Sequence, residues 1–340
     1  MKKVMKFISM FICCCALLFI IASCGKNNNR SNYSRKDDTI YFGRYPQVLV
    51  SDEELVSELN DKAGELPTAI NTRLWTDYNY YDNEKISSYM YYQDIDLDND
   101  GKYDYRGVYA KKNRPHATYL ESSDVTNPTI FWFEYKSIEW IILKEDGGQA
   151  LIISNFILDS QEYCSFDIDG EFEHNGGIGY ANNYSLSNIR KWLNKDFYTT
   201  AFDVLDKDII LLSEVDNSSQ YINAQTFACE NTFDKIYLLS ENEVFDYKDK
   251  YNVVTEGTDY AKAQGLYTKT NPNNTKTDEL GKSYWLTRTP CFVAEEDENE
   301  DSGKLISYVS TDGYIIESDF VDGRISRTTN GIRPVCWIKL

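Results

Sequence analysis

Asp96, Asp98, Asp100 and Asp104, with Gly101 among them, spell D-x-D-x-D-G-x-x-D. Side-chain oxygens would come from positions 1, 3, 5 and 9 of a tight loop that glycine lets turn sharply, and hard oxygen donors at that spacing suit calcium. Four carboxylates this close repel one another without a cation. Asp and Asn are also ordinary turn formers, so Asp98-Asn99-Asp100-Gly101 reads equally as an acidic hairpin turn. A second chemistry belongs to thiols. Cys24 ends an apolar run, and Cys164, Cys229, Cys291 and Cys336 follow at irregular spacing. In an exported chain these four form two bridges in any of three pairings, or stay as buried thiols. Nothing points to zinc, because the chain has no C-x-x-C and only two histidines, His116 and His174. No motif singles out a catalytic pair. Cys164 with His174 would be a thiol and imidazole without a signature, and any two of the 54 Asp and Glu residues could serve a glycosidase.

Delivery is written at the amino terminus. Lys2, Lys3 and Lys6 precede a sixteen-residue apolar stretch, Phe7 to Ala22, which matches the charged and apolar regions of a signal peptide and is shorter than the roughly 20 residues that span a bilayer. Its end, Ile21-Ala22-Ser23-Cys24-Gly25, is similar to the bacterial lipobox. That resemblance implies a diacylglyceryl group on the Cys24 thiol, cleavage after Ser23, and acyl chains such as palmitate holding the product, since a single chain binds only marginally. The expected division is therefore a leader over 1–23, a polar tether over 24–38 and one domain over 39–340, held extracytoplasmically on the bacterial cell membrane. The formal charge of −19 becomes −22 once the three lysines of the leader are removed, so like-sign repulsion excludes nucleic acid as a partner. Cations, cationic peptides and neutral glycans remain open.

These residues need elements to position them. Ser51-x-x-Glu54 reads as a capping box opening a short helix with Leu55 and Leu59 on one face, stopped by Leu66-Pro67. Aromatic and β-branched residues from Ser88 to Lys111 flank the acidic turn and predict a hairpin. Ile138–Leu143 and Ala150–Ser154 predict another around Glu145-Asp146-Gly147-Gly148. Ser187 caps the clearest helix, with Ile189, Trp192 and Leu193 on one face up to Phe202. Ser240-x-x-Glu243 and Thr258–Gly265 open two shorter helices. Short strands follow Tyr284, with turns at Asp312-Gly313 and Asp322-Gly323. The pattern is mixed α+β. Arg288 and Arg333 read as buried arginines paired with carboxylates, Trp285 and Trp337 as core, and Glu295–Asp301 as a solvated acidic loop.

Phe42-Gly43-Arg44-Tyr45-Pro46-Gln47, the run Ile138–Asp159, NIRKWLNKDFYTTAF (Asn188–Phe202), DKIYLLSENEVFDY (Asp234–Tyr247), TDYAKAQG, YWLTRTP (Tyr284–Pro290) and NGIRPVCWIKL (Asn330–Leu340) resemble an extracytoplasmic domain of Gram-positive bacteria filed as domain of unknown function 6273. The resemblance divides the domain into a hairpin region over 39–129 and a family-like core over 130–340. Gly331-Ile332-Arg333-Pro334 is also similar to the ending of C-type-lectin-like domains related to the formylglycine-generating, sulfatase-modifying enzymes. This implies a C-type-lectin-like fold of short strands, two hairpins and a few short helices. It does not bring chemistry with it, since neither the enzyme's cysteine motifs nor the Glu-Pro-Asn and Trp-Asn-Asp triplets of sugar-binding lectins are found. Cys291, Cys336 and the expanded acidic turn depart from the family pattern, so calcium and disulfides rest on these residues alone. With an aromatic share of 14%, the expectation is a surface lipoprotein that binds a glycan or peptide without catalysis. The alternatives are a hydrolase of envelope or dietary glycans and a scaffold that binds another protein.

Overall fold

The Gly147-Gly148 turn joins two strands that pair with each other across it. In the computed structural model, which describes residues 33–65, 75–82, 85–110, 129–164, 171–218, 229–269, 280–290, 303, 305–316 and 331–340, the chain runs through β1 (Ser34–Lys36), β2 (Thr39–Leu49), β3 (Thr76–Asp82), β4 (Lys85–Ile95), β5 (Tyr105–Ala110), β6 (Ile130–Asp146) and β7 (Gln149–Ser154). Then come β8 (Asp159–Ser160), β9 (Glu171–His174), β10 (Gly177–Tyr180), β11 (Ser213–Val215), β12 (Thr232–Asp234), β13 (Trp285–Pro290), β14 (Ile306–Val309), β15 (Ile315–Ile316), β16 (Gly331–Ile332) and β17 (Val335–Lys339). Asp146 pairs with Gln149 across the turn, and the two glycines take φ of 57° and 80°, a region that side chains resist. The leader, Cys24, Cys291 and the Asp322-Gly323 turn lie outside the described residues.

β6 is the spine of the first sheet. At 17 residues it is about three times an ordinary strand, long enough to serve two partners in succession along one edge. That edge carries β5 from Tyr109↔Ile130 to Tyr105↔Glu134, then β7 from Trp140↔Ser154 onward. The other edge carries β2 from Leu49↔Phe133 to Thr39↔Ile141. β17 closes onto β7, with Val335 opposite Ile153 and Lys339 opposite Gln149. The second sheet has the order β15-β14-β13-β16-β8, and β9–β10 and β11–β12 are separate two-stranded ribbons.

Between β2 and β6 the chain makes a unit with its own small core. Helix α1 (Glu53–Ala63) buries Leu59 and Ala63 against Trp75, Tyr91, Ile95 and Trp132. Its cap is Asp52, whose carboxylate accepts from the N–H of Glu54 (2.9 Å) and Leu55 (3.1 Å). This corrects the expected Ser51 cap: the extended backbone at Asp52 puts its oxygen over the first-turn donors. The expected hairpin is the pair β4–β5, and β3 adds a third strand that the sequence reading did not foresee.

Three of the remaining helices begin at Ser187, Ser240 and Thr258 as expected, and a further one, capped by Asp203, is not among those expected. Ser187 Oγ accepts from Arg190 N at the start of α2 (Asn188–Trp192). A π-turn over Leu193–Phe197 continues it into α3 (Tyr198–Ala201). Ile189, Leu193, Phe197 and Ala201, four apart, form the buried stripe, and Trp192 is only half-buried beside it. After α4 (Val204–Ile209), α5 (Glu241–Tyr247) carries the Ser240–Glu243 capping box and α6 (Asp259–Ala263) the Thr258 cap. The architecture is mixed, with several sheets and few helices. Among the described residues no helix is long and apolar enough to cross a membrane.

Candidate functional site

The acidic motif occupies the loop between β4 and β5, and strand pairing brings its two ends together. Asp104 N donates to Ile95 O (2.8 Å) and Tyr135 N to Asp104 O (2.8 Å), which fastens the loop to β6. Inside it, Asp96 accepts from the N–H of Asp100 (3.2 Å) and Gly101 (2.9 Å), Asp98 from Asp100 N (3.1 Å) and Asp104 from Leu97 N (2.8 Å). Gly101 sits at φ 90°, so a side chain there would be strained. One oxygen each of Asp96, Asp98 and Asp104 lie within 4.8 Å of one another. Asp100 is not part of this group, and its Oδ1 accepts from Lys102 N (2.8 Å).

Three carboxylates converging on one point, with no nitrogen or sulfur donor among them, have the hardness that calcium requires, with waters and carbonyls left to complete six to eight ligands. Two features limit its strength. Arg44 Nη2 lies 3.5 Å from Asp104 Oδ1 and already offsets part of the negative charge. Position 12 of the motif is Gly107, where a Cβ would stand 2.7 Å from the Trp132 ring, so no side-chain ligand can come from there.

A second arrangement lies on the second sheet, β15-β14-β13-β16-β8. The registers Trp285↔Val309 and Leu286↔Tyr308, with alternate residues facing opposite sides, put Tyr284 and Tyr308 on one face. Their rings meet edge to face at 5.6 Å and 85°. The bridge Thr268↔Ser283 draws Tyr267 alongside, where its ring stacks on Tyr284 at 5.7 Å and 11°. Tyr314, one residue before β15, is 69% exposed, and Tyr267 is 39% exposed. Sequence reasoning did not pick these four out of 27 tyrosines. Tyr267, Tyr284 and Tyr308 come from three separate segments and only the pairing register, which no local pattern encodes, unites them; Tyr308 itself is buried.

The family described as a domain of unknown function, DUF6273, matches residues 147–340, more than half of the chain. The chain belongs to the DUF6273 family. No curated protein and no solved structure matches it. The matched stretch takes in β7 to β17 and leaves β1 to β6 outside, yet β6 and β2 complete the sheet on which β7 and β17 lie. Phe42–Gln47 and Ile138–Leu143, which also carry the resemblance, fall upstream of it.

Within the DUF6273 core, buried polar groups are held by specific partners. Tyr45 OH donates to Asp159 Oδ2 (2.5 Å), and Ser160 N (2.7 Å) and Gln161 Nε2 (3.0 Å) donate to Asp159 Oδ1. Burial pushes this carboxyl up to about 6 against those stabilising bonds. Tyr45 thus gives the Phe42–Gln47 motif a purpose, because β2 delivers it into the matched core. Arg288 pairs with Glu243 as expected and donates to Leu238 O (2.7 Å) and Asp216 O (2.9 Å). Arg333 departs from expectation: its partners are backbone carbonyls, Ser154 (3.1 Å), Asn155 (3.2 Å), Asn252 (3.1 Å) and Val253 (3.3 Å). Its guanidinium carbon lies 5.0 Å from the ring centres of both Tyr251 and Trp285. Trp285 is buried and Trp337 half-buried. Cys164 and Cys336 are buried and Cys229 half-buried; Cys229 and Cys336 are thiols. Burial pushes the thiols of Cys229 and Cys336 upward.

Proposed function

We propose that this protein is a lipid-anchored, extracytoplasmic binding protein that captures a glycan on the tyrosine face and performs no chemistry on it. The observation that carries the reading is the Tyr267–Tyr284 stack, with the buried Tyr308 edge-on to Tyr284 and Tyr314 exposed just ahead of β15. Flat aromatic faces backed by a rigid sheet offer the C–H faces of a sugar ring apolar contact at small cost in side-chain entropy. A lectin-like reading of the fold agrees with the carboxyl-terminal strand β17 lying in the same sheet as β2. Cys24 holds the diacylglycerol, the residues ahead of β1 give reach from the membrane, since β1 takes the end of the expected 24–38 tether into the first sheet, and the loop of Asp96, Asp98 and Asp104 takes one structural calcium.

Two measurements test this. For the ligand, the unit Tyr33–Leu340 is applied to a panel of bacterial envelope and host glycans. Binding is expected, and Tyr267→Ala and Tyr314→Ala each weaken it about tenfold, the loss typical of a central aromatic contact. Failure of every glycan to bind, or binding indifferent to both substitutions, would sink the reading. For the metal, thermal unfolding is compared in EDTA and in millimolar calcium. Calcium at 100 times its Kd stabilises by about 2.7 kcal/mol, and that gain is expected in the wild type and in Asp100→Ala but not in Asp98→Ala. Equal curves with and without calcium would leave the loop as an acidic turn.

A further inference from the structure

The first turn of α4 points its apolar residues outward: Val204 is 76% and Leu205 59% exposed. Asp203 caps that turn, accepting from the N–H of Leu205 (2.8 Å) and Asp206 (2.9 Å), so a fixed backbone holds both side chains out. The pair Lys102 Nζ–Asp203 Oδ2 (3.2 Å) ties the acidic loop to the same turn, and the next loop residue, Tyr103, is 53% exposed. Three large side chains from two segments therefore meet solvent around one ion pair, where single exposed ones would be ordinary.

The chain enters the fold beside them. β2 passes under the start of α4: Phe42 stacks on Phe202 at 5.2 Å, a Cβ on Gly43 would stand 2.9 Å from Ala201 O, and the Asp206 carboxylate accepts from Gly43 N. β1 runs antiparallel to β2 with Ser34 opposite Tyr41, which sets Tyr33 level with Phe42. Nine peptide steps separate Cys24 from Tyr33, and an extended chain covers at most about 3.6 Å per step, about 32 Å in all. With a lipid on Cys24, the bilayer is never farther than that from Tyr33, so a surface beside this point meets phospholipid at a high effective concentration. Charge does not oppose the contact: Asp203 is paired with Lys102, Asp206 is bonded to Gly43 N, and Lys207 and Asp208 offset each other in the second turn.

We propose that Val204, Leu205 and Tyr103 form a docking face that enters the headgroup region of the bilayer holding the anchor, so that one side of the domain is turned toward the membrane. Phospholipid is the occupant, and apolar burial, not attraction to anionic headgroups, holds it there. This face rests on the lipid anchor proposed above and is independent of the tyrosine face, which belongs to different strands.

The full chain is made in a bacterial host with photoreactive benzoylphenylalanine in place of Val204, Tyr103, Ile178 or Phe245, extracted from the membrane and reconstituted in phosphatidylcholine vesicles. All four positions are exposed, so the probe leaves the core intact. The mass of the mature chain reports lipid on Cys24, and irradiation followed by mass spectrometry counts phospholipid adducts at each probe. Adducts at positions 204 and 103 are expected to exceed those at 178 and 245 about tenfold, a preference that burying one aliphatic side chain can supply. Leu205→Gln should lower the yield at position 103 about threefold. A mature chain without lipid would overturn the anchor reading and the docking face together. In a lipidated chain, equal yields at all four positions, adducts to a second copy of the protein in place of phospholipid, or a yield indifferent to Leu205→Gln would overturn the docking face alone and leave the anchor standing. Tyr267→Ala is expected to change none of these yields, so failure here and failure of the glycan reading are separate results.

Discussion

Replacing Arg333 by methionine is expected to lower unfolding free energy by about 3–4 kcal/mol, the scale of losing a buried charged hydrogen-bond centre. Methionine keeps most of the side-chain volume, so the loss measures hydrogen bonding more than a cavity. Arg333 is fully buried, and its three nitrogens serve four carbonyls from two separate segments, Ser154-Asn155 and Asn252-Val253. Without it those oxygens are left dry, each at about 1–3 kcal/mol before relaxation and water entry. Arg333→Lys keeps the charge but not the planar fork, and should recover less than half of the loss. Urea denaturation of the three proteins settles the matter. A loss under about 1 kcal/mol for the methionine variant would mean that the carbonyls find water at little cost.

The second large effect concerns pH. Asp159 is wholly buried and its carboxyl is moved from 3.8 to about 6. The folded state therefore holds the proton more tightly than the unfolded chain. The stability this group contributes is fully present below about pH 4 and is lost as pH rises through 6, a change of about 3 kcal/mol. Asp159→Asn carries no charge and can keep a bond to Tyr45 with the hydroxyl as acceptor. The variant is thus expected to gain on the wild type by roughly 2–3 kcal/mol between pH 4 and pH 7.5. The other carboxylates titrate in both proteins and cancel in the comparison. Parallel pH profiles would show that Tyr45, Ser160, Gln161 and the field of Arg106 hold the ionised form as well as water does.

What could be read without the structure was mostly local. Ser187, Ser240 and Thr258 cap helices because a hydroxyl needs only the next three N–H groups, and Gly147-Gly148 turns because two residues settle its geometry. The acidic turn between β4 and β5 was legible for the same reason. Spacing could not tell that Asp96, Asp98 and Asp104 lie together while Asp100 folds back onto Lys102 N. Pairing across distance was not legible. The tyrosine face depends on the β13–β14 register and the Thr268↔Ser283 bridge, the first half of β6 on β2 and β5, both far earlier in the chain, and the carbonyl nest of Arg333 on two segments about 100 residues apart.

The short stretch Gly331–Lys339 supplies β16 to one sheet and β17 to the other, with Arg333 between them. β17 pairs with a strand made nearly two hundred residues earlier. During translation, neither sheet can close until this stretch has left the ribosome, and contacts that span such loops form slowly. A chain cut short anywhere upstream would expose open strand edges on both sheets at once, a state prone to aggregation and proteolysis. One nine-residue segment thus ties the two sheets together, and copies truncated ahead of it are expected to be cleared rather than accumulate as half-working protein.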